Sequence, residues 1–286
     1  MLKAIKQARA AVGLLNPDEV RRRARRPVRI GLVAFDSAGY AAMEDFLAPA
    51  ATPRESRLKL LEQVYRAGDP GAPGKVDLVL YQQGIPCPED AYLLRFDDPA
   101  AAISEILHDH DDLTLALARQ FVPFRKRVVE RIIHAVSREN AVFAVATALP
   151  NLVPSLGEIP WAFGEFASDT AFLTANQVRM AFLIAAACGK EVGYSQRAAE
   201  ILPIAAGAFG WRALARELAG KIPFGGGIIP KGAIAYAATF VIGKGLEHYH
   251  HAGAPYTRAQ REEVYQAAFE RGKAVAEALR GTGPQA

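Results

Sequence analysis

The stretch from Asn140 to Gly243 constrains what this chain can fold into more than any other feature. It holds 13 charged residues in 104 positions, arriving singly or in small groups. A membrane-spanning helix needs about 20 predominantly apolar residues in a row. The uncharged run 140–157 contains Asn151, Pro150 and Pro154, while Arg179 and Lys190 enclose only ten residues and Glu200 and Arg212 only eleven. The run 222–243 is long enough, but Lys231 sits near its middle, and the three consecutive glycines Gly225–Gly227 and the prolines Pro223 and Pro230 interrupt it. A lysine at the bilayer centre costs about 2.5–3.5 kcal/mol on insertion scales. Three arrangements fit: a bundle whose inner helices are nearly all apolar, a bundle lying on or partly in a bilayer with Lys and Arg reaching the headgroups, or re-entrant hairpins turning at Gly225–Gly227. Small residues crowd the segment (Ala205, Ala206, Gly207 and Ala208; Ala233, Ala235, Ala237 and Ala238) and permit close helix approach in either solvent. The expectation is one folded bundle with a membrane-facing side.

The chain in front of this stretch has a different texture. Residues 28–35 read Val-Arg-Ile-Gly-Leu-Val-Ala-Phe, a buried strand, and Val76–Gln82 and Tyr92–Phe96 read as two more. Helices are expected between them at 38–47 and 55–67, and at 100–108 behind Asp98-Pro99. Strands alternating with helices argue for a small three-stranded parallel α/β unit. From Leu113 onward the pattern is helical, with helices expected at 113–120, 123–149, 160–189, 195–209, 211–220, 230–252 and 257–279. The fold class is therefore mostly α: a C-terminal helical bundle preceded by a small α/β unit that is degenerate P-loop-like. The organisation reads as a basic helical arm over 1–27, the α/β unit over 28–112, the apolar bundle over 113–280 and a disordered tail over 281–286.

Charge is distributed unevenly. The whole chain carries a net charge of +4, but residues 1–29 hold nine Lys/Arg against two Asp/Glu, so the remainder is slightly acidic. Arg21, Arg22, Arg23, Arg25 and Arg26 form the dense part of the arm, a set suited to the anionic face of a membrane or another anion. A solvated charged helix end is the equally weighted structural reading. Nucleic acid is the poorest candidate partner, because aromatic residues do not interleave the cluster. Cys87 and Cys188 have no metal-ligand spacing, and Lys3, Lys6 and Arg9 break the early apolar run, so neither a disulfide framework nor a signal peptide is expected. The expected location is cytoplasmic, peripheral or integral at the inner face of the cell membrane.

Several positions have the residue types of a chemical site. A phosphate-binding loop needs Gly-x-x-x-x-Gly-Lys-Ser/Thr after a strand, so that backbone amides and a lysine meet phosphate and a hydroxyl meets magnesium. The frame here is Ala34-Phe35-Asp36-Ser37-Ala38-Gly39-Tyr40-Ala41. Gly39 survives, Tyr40 replaces the lysine, and Asp36 brings a negative charge. Gln82, Gln83 and Gly84 stand at the end of the second strand where a magnesium-contacting Asp and a Gly would be expected, and no guanine-reading Asn-Lys-x-Asp occurs. Glu165, Asp169 and Asn176 share a helix face at i, i+4 and i+11, and with Arg179 form a candidate polar pocket, or pair with arginines across the bundle. No metal is expected; His248 and His251, three apart behind Glu247, are the nearest approach to a ligand pair, and charge at a helix C-terminus explains them as well. No cofactor and no catalytic residue are expected, and the balance leans against an enzyme.

Segments of the bundle resemble the C-terminal helical domain found behind bacterial GTPases of the YcjF-like group, a domain of unknown function. The carrying residues are Arg138-Glu139-Asn140-Ala141-Val142-Phe143-Ala144 with Leu149-Pro150, Asn176-Gln177-Val178-Arg179-Met180 with Cys188-Gly189, Lys221-Ile222-Pro223-Phe224-Gly225-Gly226, Ala238-Thr239-Phe240-Val241-Ile242-Gly243 and Tyr249-His250-His251-Ala252-Gly253. The resemblance covers nearly half of the chain. It implies a membrane-associated helical domain without assigned catalytic residues. It also implies that the α/β segment is a shortened GTPase relative that has kept a scaffold and lost nucleotide binding.

The leading expectation is a non-catalytic, membrane-associated adaptor or envelope-stress protein, with a lipid surface and a protein partner or second copy as its contacts. The alternatives are a GTP-binding switch with an unconventional pocket and a soluble ligand-binding bundle with its pocket near Glu165 and Asp169.

Overall fold

A computed structural model of the chain describes residues 15–147, 169–205 and 228–281. These divide into two compact units. One comprises Glu19–Glu130 with Ala186–Lys190; the other comprises the described residues of Arg131–Ala185 and Glu191–Ala286, with 15–18.

The first unit is α/β. Its elements are α1 (Pro17–Ala24), β1 (Ile30–Val33), α2 (Ser37–Leu47), α3 (Arg54–Leu61), β2 (Val64–Arg66), β3 (Leu78–Gln82), β4 (Tyr92–Leu94), α4 (Pro99–Asp109) and α5 (Thr114–Gln120), followed by the first turns of α6 (Val122–Ala146). The four strands are all parallel, in the order β2-β1-β3-β4, with Ile30 opposite both Val64 and Leu78, and Leu80 opposite Tyr92. The sheet has one strand more than its apolar runs announced. The helix expected over 55–67 stops at Leu61, and Val64-Tyr65-Arg66 becomes an edge strand. Alternate residues Ile30 and Leu32, Leu78 and Leu80, and Tyr92 and Leu94 are buried, together with Met43 and Leu47 of α2 and Ile106 of α4. That alternation is the pleat of a strand with one face on the core.

The unit also extends past the expected boundary at residue 112. Leu115, Leu117, Phe121 and Phe124 are buried, and the Gln120 side chain receives the Val28 N–H at 3.4 Å and donates to the Arg26 carbonyl at 2.7 Å. Arg125 donates to the carbonyl of Ala187 at 3.0 Å, and Arg119 to that of Lys190 at 2.7 Å, which holds 186–190 to this unit. Burial pushes the Arg125 guanidinium pKa below its usual value.

The second unit is helical: the rest of α6, α7 (Asp169–Ala187), α8 (Ala198–Ala205), α9 (Ile228–Ala252) and α10 (Arg258–Gly281). The helix expected over 211–220 and the Gly225–Gly227 turn lie outside the described residues. Along α7 nearly every position from Ala171 to Ala187 is buried, as is most of α9 from Ala233 to Leu246. A helix that is apolar all round belongs inside a bundle or a bilayer. Here α9 is covered by its neighbours. A Cβ on Gly243 would stand 2.8 Å from Ile133 and 3.1 Å from Met180 Sδ, and one on Gly272 would stand 2.8 Å from the Ala233 backbone. Phe143 stacks on Phe172 at 3.9 Å between ring centres, and His134 Nδ1 meets the Tyr236 hydroxyl at 2.8 Å. Gly253, at φ +70°, ends α9 in the left-handed conformation that glycine adopts without steric cost, its N–H reaching the Tyr249 carbonyl at 2.9 Å. Among the described residues no helix is long and apolar enough to cross a membrane.

Two buried phenols tie the fold to pH. Burial, reinforced by a 3.1 Å hydrogen bond to Asp109, pushes Tyr92 up to about 12, and burial alone pushes Tyr265 up to about 12. Both values lie above the unfolded phenol near 10, so this stability is complete below about pH 10 and is lost as pH rises through 12. Urea unfolding measured in steps across that window is expected to show falling midpoints, with a shallower fall in Tyr92→Phe and in Tyr265→Phe.

Candidate functional site

In an open parallel sheet, the crevice at the carboxyl ends of the strands, where connections diverge to either side, is the usual ligand site. With the order β2-β1-β3-β4, that point lies between β1 and β3. The residues there are Phe35, Asp36, Ser37 and Gly39 after β1, and Gln82 and Gly84 at the end of β3.

The chain fills this crevice itself. Asp36 is the N-cap of α2, and its carboxylate accepts the Gly39 N–H at 2.7 Å. A helix N-terminus offers N–H groups to an anion, and the first anion available here is the protein's own. Gln82 Oε1 accepts the Phe35 N–H at 3.2 Å and lies where a Cβ on Gly39 would be, 2.2 Å from it. Gly84, at φ +98°, turns the chain beneath the Phe35 ring, which is 66% exposed. Tyr40, at the lysine position of the phosphate-loop frame, faces Arg66 at 5.3 Å, and Arg66 holds Glu44 through two hydrogen bonds of 2.7 and 3.0 Å. Ser37 is exposed at the first position of the helix. Asp36, Ser37, Gly39 and Tyr40 lie at the start of one helix, in an arrangement that puts a carboxylate and an amide oxygen where phosphate oxygens would need donors.

The arginine cluster is placed on the same unit. Arg22, Arg23, Arg25 and Arg26 are exposed, and with Asp109, Asp111 and Asp112 they line an open cavity of about 1020 Å³. Arg26 pairs with Asp112 at 2.6 Å and approaches Asp77 at 3.6 Å. Arg21 is the least exposed member outside that cavity. Nothing local in the chain marks the acidic run after α4 as facing these arginines.

The expected polar pocket divides. Glu165 lies outside the described residues, and Asp169 opens α7. Asn176 and Arg179 join a different set, drawn from α6, α7 and α9. Arg179 pairs with Glu139 and donates from Nε to Asn176 Oδ1 at 2.9 Å. Asn176 Nδ2 is shared between Glu139 at 3.0 Å and Asn140 Oδ1 at 2.9 Å. Asn140 donates to the Thr239 hydroxyl at 2.8 Å, Gln177 reaches the same oxygen at 3.3 Å, and Thr239 donates to the Ala235 carbonyl at 2.8 Å. Asn140, Asn176 and Thr239 are fully buried. A buried chain in which each polar atom meets another stabilises and orients helices rather than binding a ligand. Glu139, Asn140, Gln177 and Thr239 were missed as partners, although each falls in a segment quoted for the YcjF-like resemblance.

His248 and His251 do not form a ligand pair. The His248 ring lies on Tyr256 at 4.6 Å, His251 is exposed, and no group of three or more His, Cys, Asp or Glu suited to a metal occurs among the described residues.

No protein-family model, curated protein or solved structure matches this chain. The likeness to the YcjF-like domain rests on the quoted residues alone.

Two sets of substitutions test these assignments. Gly39→Ala must push Gln82 off the Phe35 amide, so urea unfolding should show a loss of about 1–2 kcal/mol. Much of that loss should disappear when Gln82→Ala has already cleared the space, a coupling that a double-mutant cycle reads directly. In the buried network, Asn140→Leu leaves Asn176 and Thr239 each short of a partner and should cost about 2–3 kcal/mol. Thr239→Val should cost less, and the double variant less than the sum.

Proposed function

We propose that the chain is a non-catalytic adaptor that docks peripherally on an anionic membrane surface. In this reading its α/β unit is a scaffold related to nucleotide-binding units but without their chemistry, and its helical unit meets a protein partner or a second copy. The observation that carries the reading is the pairing, on one unit, of a phosphate position filled by Asp36 and Gln82 with an exposed arginine face. The first leaves the α2 N-terminus no vacant carboxylate-free cradle for a nucleotide. The second offers a cluster of cations that anionic headgroups attract at about 1 kcal/mol per basic residue near the surface. The three aspartates opposite make the attraction conditional, since lipid must compete with Asp112 for Arg26.

Flotation with vesicles containing phosphatidylserine, at low salt, tests the proposal. The full chain should float with these and not with pure phosphatidylcholine vesicles. Replacing Arg22, Arg23 and Arg25 together by Gln should weaken binding by about two orders of magnitude, at the stated energy per charge. Asp111→Asn with Asp112→Asn should strengthen it. Failure of the unaltered protein to float would overturn the membrane assignment, and saturable binding of a fluorescent GTP analogue would overturn the scaffold assignment.

A further inference from the structure

A second polar cluster in the helical unit differs from the Asn140 network in being incomplete. Glu200 of α8, Tyr249 of α9, and Tyr256 and Arg261 beyond them are among the residues that line a cleft of about 410 Å³. Its walls are mostly apolar, and two charged residues enter it, Glu200 and Arg261. Glu200 is 6% exposed. Its Oε1 accepts from Arg197 at 2.8 Å. Its Oε2 lies 3.4 Å from Nε2 of His250, whose side chain is 2% exposed, a distance that makes an ion pair when the imidazole is protonated but leaves both atoms without a hydrogen bond. The Nε of Arg261 is likewise buried without an acceptor.

Buried polar atoms left bare cost about 1–3 kcal/mol each, and more when charged. Native interiors contain few of them, and several converging on one apolar cleft of ordinary ligand size mark a binding site. Their chemistry defines the ligand. Arg197 already balances the charge of Glu200, so Arg261 is the surplus cation of the cleft and calls for an anionic head. Glu200 Oε2 can only accept, so the ligand must also bring an O–H or N–H donor beside that head. Tyr256, with the His248 ring against it at 4.6 Å, and Tyr249 at the mouth supply aromatic faces for an aromatic body.

The geometry points to a binding site for a small aromatic hydroxycarboxylate, with its carboxylate on Arg261, its hydroxyl donating to Glu200 and its ring between Tyr249 and Tyr256. This site is separate from the arginine face of the α/β unit, and its occupancy does not depend on membrane docking.

Isothermal titration of the full chain with 3-phenyllactate, 3-phenylpropionate and 2-phenylethanol tests the assignment. The first carries both polar groups, the second lacks the hydroxyl and the third lacks the carboxylate. One-site binding of 3-phenyllactate is expected, at least tenfold tighter than either of the others. Arg261→Met should remove the advantage of the two acids over the alcohol. Glu200→Gln should shrink the advantage of 3-phenyllactate over 3-phenylpropionate while leaving the latter's affinity unchanged. Arg261 is only half-buried, so its variant carries the test if Glu200→Gln melts early by circular dichroism. Absence of saturable binding by 3-phenyllactate, equal binding of the two acids, or affinities unchanged in folded Arg261→Met would each overturn the proposal.

Discussion

The hydrogen-bond chain from Arg179 through Asn176 and Asn140 to Thr239 is what the helical unit depends on. Two of the helices that it joins, α7 and α9, are apolar on nearly every side, while α6 keeps a charged outer face. Apolar contact drives such helices together but says little about their rotation, because one greasy face packs about as well as another. A buried amide changes that. Only one rotation of α6, α7 and α9 lets Asn140 reach both Asn176 and Thr239, and every other rotation strands a polar group in the interior. Close packing then follows from composition. Gly243 admits Ile133 and Met180, and Gly272 admits the Ala233 backbone, at distances where any side chain would collide.

The same principle explains why the long apolar segment reads ambiguously as sequence. Its charges were spaced too closely for spanning helices, and the three alternatives left were alike in composition. The structure selects for the described residues an interior role: α7 and most of α9 are covered by protein. The fold class was legible because strand runs and helix runs separate cleanly at about residue 113. The fourth strand was not, because Val64-Tyr65-Arg66 follows a helix without a Gly or Pro to mark the change, and three residues carry too little alternation to show a period. Pairing with β1 through Ile30 and Val64, a tertiary fact, makes it a strand. The boundary at 112 was misplaced for a related reason. The helical pattern of Leu115, Leu117 and Phe121 says that these residues are buried, but not against which unit.

The candidate sites were legible to the degree that their residues were neighbours in the chain. Asp36 and Gly39 lie in one turn, and the prediction that a carboxylate would spoil a phosphate loop follows from three residues of sequence. Gln82 completes the block from 46 positions beyond Asp36, and nothing local marks it. Glu165, Asp169 and Asn176 made an attractive face on a helical wheel, yet Asn176 and Arg179 found their partners on α6 and α9. The Glu200 cleft lay beyond local reading altogether. Its parts come from three helices, Glu200 looks like an ordinary first-turn acid, and His250 was one of four aromatic or imidazole residues at a helix end whose charge had a sufficient explanation.

The two polar clusters of the helical unit sharpen what burial means for function. In the Asn140 set, amide donors and carbonyl or hydroxyl acceptors close on one another, and the energy of each bond goes into fixing the helices. In the Glu200 set, one carboxylate oxygen, 3.4 Å from His250 Nε2, and the Nε of Arg261 are held out of water without a hydrogen bond. Folding alone gives no reason to keep that arrangement, since apolar replacements of similar volume would remove the desolvation cost. Arg197 at 2.8 Å and His250 at 3.4 Å hold the Glu200 carboxylate in place in the lining of a cleft that Tyr249 and Tyr256 also line. A group that is immobilised, desolvated and unsatisfied has its hydrogen-bonding capacity pre-organised for a partner that arrives later, which is the condition under which a small ligand binds without a large entropic cost.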